Sequence, residues 1–184
     1  ELAQIGLLAD LGGGAKQEAG GEKFLQIAKR ARHLVAVMDE IVWAVNPQND
    51  NLNRLADYLC QMADECFAES AVRMRKEVPL QLPAYPIRAE VRHDLTLAVK
   101  EAFANLLKHA HAREARLQLA WQEPDLEIVV ADDGQGFQPG KGGSGNGLTN
   151  QGVRMKRIGG TVELTSRPGQ GTRLVFRVRL TSSG

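Results

Sequence analysis

The sequence predicts a two-layer α/β sandwich, with helices on one face of a mixed, mostly antiparallel sheet, preceded by a helical hairpin belonging to a dimeric four-helix bundle. Three observations lead there. Apolar residues recur at spacings of three and four near the amino terminus and again over 87–110. They alternate with polar residues in several short runs after residue 115, and glycine- and proline-rich segments separate those runs.

In the amino-terminal part, Phe24, Ile27, Ala31, Leu34, Met38, Ile41 and Val45 form a seam of the kind that pairs helices. Residues 1–11 make a second helical piece, and the glycines at 12–14 and 20–21 bound the loop between the two. Two helices have too little seam to bury alone, so a second copy is expected, giving the four-helix bundle; a hairpin packed on its own downstream domain is the alternative. The expected division is 1–47 for the hairpin and 48–184 for the sandwich.

The sandwich should open with a helix over 51–70 and a strand over 72–78. Pro79, Pro83 and Pro86 mark an irregular connection before a long helix over 87–110. Strands follow at 115–122 and 127–131, then a glycine-rich stretch, a helix over 148–158, and strands at 161–166 and 172–180. In the last, Leu174, Phe176, Val178 and Leu180 alternate with Arg173, Val175, Arg177 and Arg179, so one face should be packed and the other wet.

Composition narrows the function classes. With 184 residues, 43% of them apolar, the chain can bury a sizeable core, and a formal net charge of +1 gives no reason to invoke nucleic acid or a membrane surface. There is no long apolar run and no signal-peptide pattern at Glu1, so a cytoplasmic location is expected, with any membrane span in sequence outside this chain. Cys60 and Cys66 lie six apart on one predicted helix and point apart, which predicts reduced thiols.

The chemistry begins on the long helix. At about 100° per residue, Glu101, Asn105 and Lys108 share one narrow sector, while Leu95, Val99, Ala102, Phe103 and Leu106 form a separate face suited to burial. A carboxamide oxygen in mid-helix suits magnesium, which takes oxygen ligands and keeps waters and phosphate oxygens. Glu101 is placed to act as a base and Lys108 to neutralise phosphate charge; a solvated face of an amphipathic helix would look the same.

A strand carrying Leu126, Ile128 and Val130 delivers Asp132 to a glycine turn that includes Gly134 and Gly136. The glycines permit positive φ and close approach to a flat ligand, and an ionised aspartate accepts from the amine of adenine but repels the keto oxygen of guanine. An Asp/Gly-rich β-turn is the plain alternative. The run from Gly140 to Gly147 reads as a lid, with backbone N–H groups and the helix start near Gly147 meeting phosphates; a flexible linker is its alternative. Neither common phosphate-binding fingerprint is present, so the nucleotide must be held another way.

The order Glu101-x-x-x-Asn105-x-x-Lys108-His109-Ala110, Asp132-x-Gly134-x-Gly136-Phe137, Gly145-x-Gly147-Leu148 and Gly169-x-Gly171-Thr172 resembles the N, G1, G2 and G3 boxes of the GHKL ATPase superfamily. That superfamily includes gyrase, a heat-shock chaperone, mismatch-repair proteins and histidine kinases. The stretch from Met38 to Pro47, followed by Asn49-Asp50, is similar to sensor histidine kinases with dimerisation helices of the third class. The resemblance implies ATP and magnesium as cofactors, a homodimer, and a response-regulator protein as partner. It implies Glu101 as base, Asn105 as metal ligand, Lys108 and His109 as phosphate contacts, and Asp132 as adenine reader. Gly134, Gly136, Gly145, Gly147, Leu148 and Thr172 would complete the nucleotide contacts.

The resemblance also places the family's acceptor histidine just upstream of Glu1. Of the four histidines present, His33 reads as a rim residue of the hairpin, and His93, followed by Asp94, sits on the same helix as Glu101 and cannot reach its own site. His109 is a candidate phosphate contact, and His111 a helix-end residue. The expected activity is phosphoryl transfer from ATP to a histidine and on to an aspartate, with the joint at 46–50 as hinge. An ATP-driven clamp and a nucleotide-regulated binding module are the rival readings.

Overall fold

The structure, a computed structural model, describes residues 46–139 and 146–181 and, singly, residues 27, 28, 30, 31, 34, 38 and 43. The chain divides into two units, Glu1–Asn46 and Pro47–Gly184. In the first unit the singly described residues are helical. Four of them lie on the predicted seam, and Ile27, Leu34 and Met38 are 54%, 58% and 53% exposed, so this stripe is open. Phe24, Ile41, Val45, His33 and residues 1–11 fall outside the described residues.

The second unit begins with a 3₁₀ turn, Pro47–Asn49, and helix α1, Leu52–Phe67. Asn51 starts that helix in extended conformation, and its side-chain oxygen accepts from Arg54 N at 2.9 Å, satisfying one of the free N–H groups of the first turn. Strand β1, Arg73–Glu77, leads through the proline-rich connection to α2, Ala89–Asn105. Strands β2, Glu114–Gln122, and β3, Asp125–Asp132, form a hairpin; α3, Asn146–Arg157, follows, then β4, Thr161–Ser166, and β5, Thr172–Arg179.

The sheet order is β1-β2-β3-β5-β4, with β1 parallel to β2 and all other pairs antiparallel. The alternation of each strand sends Leu117, Leu119, Leu126, Ile128, Val130, Leu174, Phe176 and Val178 to the helix side, where all are buried. Leu55, Leu59, Leu95, Val99 and Phe103 meet them from α1 and α2, and Phe67 packs edge-on to Phe103 with ring centroids 5.4 Å apart. Helix α3 joins the same layer through α2 and β4.

Two expectations need correction. Val175 was expected on the wet face of β5, yet it is buried: it lies opposite Val129 at the centre of the outer face. Arg177, next on that face, is drawn across it by ion pairs of 2.7 Å to Glu127 and to Glu163. The long helix also stops being α-helical at Asn105, and Leu106–Ala110 forms a wide π turn that ends at His111 with φ of 50°. Its looser winding departs from the 100° phase on which the placement of Lys108 was projected.

The two cysteines of α1 are free, and burial raises both thiol pKa values. No helix among the described residues is long and apolar enough to cross a membrane.

Asp94, the acid beside His93, is fully buried on α2 and is held by Arg157 at the far end of α3, with Nε to Oδ2 at 2.7 Å, and by Arg154 at 3.7 Å. The exposure is lopsided, because the Arg157 side chain is 64% exposed and the Asp94 side chain 0%. Removing Arg157 therefore leaves a buried carboxylate with only the more distant Arg154, whereas removing the acid lets Arg157 return to water. Arg157→Met should lower the melting temperature more than Asp94→Asn in thermal unfolding; the reverse order would show that the pair's burial is not what links α3 to α2.

Candidate functional site

The site is built where the end of α2 meets the end of β3. Gln135 donates its backbone N–H to Ala110 O at 2.7 Å and its side-chain amide to His109 O at 2.7 Å, so it occupies two carbonyls of the wide turn that has no further helix to use them. Gly134 is buried between these strands of chain: a Cβ there would overlap the carbonyl of Ala110 and stand 2.9 Å from its Cβ. Gly136 and Gly171, with φ of 57° and 69°, are likewise closed in, the first by Arg167 O and the second by Asp132 O. Gly134 and Gly136 were expected to permit positive φ and close approach to a flat ligand; here the missing Cβ atoms admit neighbouring backbone, and only Gly136 of the two has positive φ.

Ser166 holds the other side. Its Oγ accepts from Phe137 N at 2.9 Å and donates to Gly171 O at 3.0 Å. With its one proton committed, it accepts from Thr172 Oγ1 at 3.0 Å, leaving the threonine oxygen's lone pairs free for another donor. Gly169 N donates to Gln135 O at 2.6 Å, tying the β4–β5 turn to the same loop.

Asp132 closes β3, paired in register with Thr172, and is half-buried. Burial raises its carboxyl pKa, and the backbone N–H groups of Gly134 (to Oδ1, 2.8 Å) and Thr172 pull it back only in part. Its neighbour Asp133, which the sequence pattern treats as a spacer, does the reverse. Its Oδ1 accepts from Arg113 N and Glu114 N, both at 2.8 Å, and these N–H groups hold its carboxyl below the usual carboxylate range. Asp133 thus ties the start of β2 to the end of β3.

Glu101 and Asn105 are one turn apart on α2, both half-buried, and Lys108 and His109 are exposed in the wide turn. Helix α3 reaches this region through Gln151, whose side-chain amide donates to Ala98 O at 3.3 Å, one turn ahead of Glu101. The structure therefore gathers Asn105, Lys108 and His109 at the end of α2 with Asp132, Gly134, Gly136 and Thr172 across the junction. Gly147 and Leu148 lie in the first turn of α3, and Gly145 falls outside the described residues. Gln135, Asp133 and Ser166 were missed, because no spacing signals a side chain whose partners are distant backbone groups.

Residues 90–182 match the family described as histidine kinase-, DNA gyrase B- and HSP90-like ATPase. The signal transduction histidine-protein kinase/phosphatase UhpB of Salmonella typhimurium is 38% identical over 71 residues, covering 38% of this chain and 14% of that protein. The sensor histidine kinase LiaS of Bacillus subtilis is 32% identical over 119 residues, 62% of this chain and 33% of that one. The chain thus spans about a third or less of the length of these relatives. Among solved structures, the histidine kinase domain of a blue-light activated histidine kinase from Erythrobacter litoralis superposes with a TM-score of 0.61 at 20% identity, covering 97% of this chain and 83% of that one.

Two expected outcomes follow from the junction. Gly134→Ala should destabilise the chain by about 1–3 kcal/mol or more, since backbone must move, whereas Gly169→Ala, with φ of 76° and open space around it, should cost about 1 kcal/mol in denaturant unfolding. The two carboxylates should respond to pH with opposite signs. Asp132, raised in the fold, contributes stability below the unfolded pKa of about 4 that is lost as pH rises through the folded value, so Asp132→Asn should raise the melting temperature at pH 7. Asp133, depressed, contributes stability above about pH 4 that is lost as pH falls through its folded value, so Asp133→Asn should lower it. Shifts of the same sign for both variants would contradict the assignment.

Proposed function

The chain belongs to the histidine kinase-, DNA gyrase B- and HSP90-like ATPase family, as the ATP-binding region of a sensor histidine kinase, and we propose that it transfers the γ-phosphate of magnesium-bound ATP to a histidine outside this sequence. The observation that carries this reading is the junction itself: a half-buried carboxylate at the end of β3 is held beside a helix end bearing an acid, a carboxamide and cations.

Asp132 accepts from the exocyclic amine of adenine, with Thr172 beside it offering a hydroxyl oxygen. At Asn105 the donors available are one carboxamide oxygen and, a turn away, one carboxylate. That sparse set fits an ion that keeps several waters and takes its remaining ligands from phosphate. Magnesium there supplies neutralisation of the charge that develops on the phosphate oxygens. Lys108 and His109 add positive charge from the wide turn, and the amide groups at the start of α3 near Gly147 and Leu148 face the phosphates. Glu101 takes the proton from the imidazole's N–H nitrogen while the other, unprotonated ring nitrogen attacks the γ-phosphorus in line and the bond to the β-phosphate oxygen breaks, releasing ADP. Relay from the phosphohistidine to an aspartate of a response regulator completes the reaction.

The open stripe of Ile27, Leu34 and Met38 supports a homodimer through the first unit, since a second copy covers an apolar face at heptad spacing. The joint at 46–50 is the hinge that changes the reach between the units.

The test is to supply radiolabelled ATP to the chain joined to its upstream sequence. Label on protein is expected; release of free phosphate alone, or no consumption, would overturn the kinase reading. Asp132→Asn should weaken ATP binding about tenfold to a hundredfold in calorimetry. Glu101→Gln should slow protein labelling by about 10² to 10⁴ while leaving ATP affinity unchanged. Omitting magnesium should weaken ATP binding in the parent and have less effect in Asn105→Ala.

A further inference from the structure

The entry to the second unit is fastened by contacts that take no part in nucleotide binding. Asp50 O accepts from Ile87 N at 3.1 Å, Leu52 N donates to Tyr85 O at 2.9 Å, and Asn51 forms an antiparallel bridge with Pro86. Asn53 adds its side-chain amide to Pro83 O at 3.2 Å. Beneath this clasp the Asp50 carboxylate lies 3.0 Å from the guanidinium of Arg92, whose side chain is fully buried on α2.

A buried guanidinium is a poor way to gain stability, because desolvation offsets its attraction and an apolar side chain of similar size packs as well. What the charge supplies is location. It demands a carboxylate at one place, so Asp50 is held where the linker ends and cannot slide along α2. The same helix carries Glu101 and Asn105, with Glu101 roughly 13 Å further along its axis. The fastening point and the reacting groups therefore share one rigid element.

We infer that Arg92 is a positioning residue for phosphoryl transfer: by holding Asp50 it sets the point from which the linker swings, and hence the reach of the Glu101 end of α2 toward the acceptor histidine. Asp50 then belongs to the anchor, and the hinge is confined to 46–49. This inference rests on the kinase reading, and it requires that Arg92 leave ATP binding untouched.

The experiment uses the full-length protein containing this chain, with Arg92→Met, Asp50→Asn, the double variant and Arg92→Lys. The Asp50 side chain is 36% exposed, so it can hydrate when its partner is lost, and Arg92→Met is expected to fold. Arg92→Met and Asp50→Asn should each slow protein labelling tenfold to a hundredfold, on the order expected for a small misplacement of reacting groups. ATP affinity by calorimetry should stay within about twofold, the double variant should be no slower than either single one, and Arg92→Lys should recover part of the rate. Hydrogen exchange supplies a readout independent of catalysis: the amides of Leu52 and Ile87 should exchange faster in Arg92→Met, with those of Gly134 and Gln135 unchanged.

Loss of ATP affinity in step with the rate would assign Arg92 a general structural role and overturn the inference. So would an unchanged rate despite loosened Leu52 and Ile87 amides. If the parent protein places no label on itself, the kinase reading fails instead, and unchanged protection of Leu52 and Ile87 in Arg92→Met would separately refute the anchor.

Discussion

Two hydrogen bonds from Gln135 to the last carbonyls of the helix end bring the two layers of the molecule to a common site. A strand end and a helix end would otherwise lie in separate layers, about 10 Å apart. The contact is close because Gly134 has no Cβ to hold the chains apart, and because the wide turn after Asn105 presents carbonyls that no further helix uses. Asp132 is held by its pairing with Thr172 and by Gly134 N, and the junction brings the helix end that follows Asn105 up to it.

Helix α2 is the element on which the separate parts converge. It carries Arg92, which meets the linker through Asp50; Asp94, which holds α3 through Arg157; and Glu101 and Asn105 near its end. Its remaining face is apolar and fully buried against the sheet. Two buried charges of opposite sign two residues apart are an expensive way to fasten neighbours, since each requires a partner and is costly without one. Each fixes one neighbour of α2, the start of the second unit through Asp50 and α3 through Arg157, at a single point along the helix.

The adjacent carboxylates Asp132 and Asp133 show how backbone alone separates two chemically identical groups. Asp133 accepts two main-chain N–H bonds at the surface and is stabilised as an anion; Asp132 is half-buried with weaker compensation and is destabilised as one. The second costs stability in the empty chain and leaves an acceptor whose solvation a purine amine can replace. The fold thus strains one carboxylate and stabilises the next.

The sequence by itself determined the layer order, every α-helix and strand of the second unit and the buried face of α2, because these depend on periods of two and of 3.6 residues. It placed Asp132 at a strand end correctly, since Leu126, Ile128 and Val130 alternate up to it. It did not reveal the π turn that carries Lys108, the burial of Val175, or the partners of Asp50, Arg92, Asp94, Asp133, Gln135 and Ser166. Those were decided only by tertiary structure. Each depends on a contact between residues far apart in the chain, and a local pattern records which face a residue takes but not what waits on the other side of it.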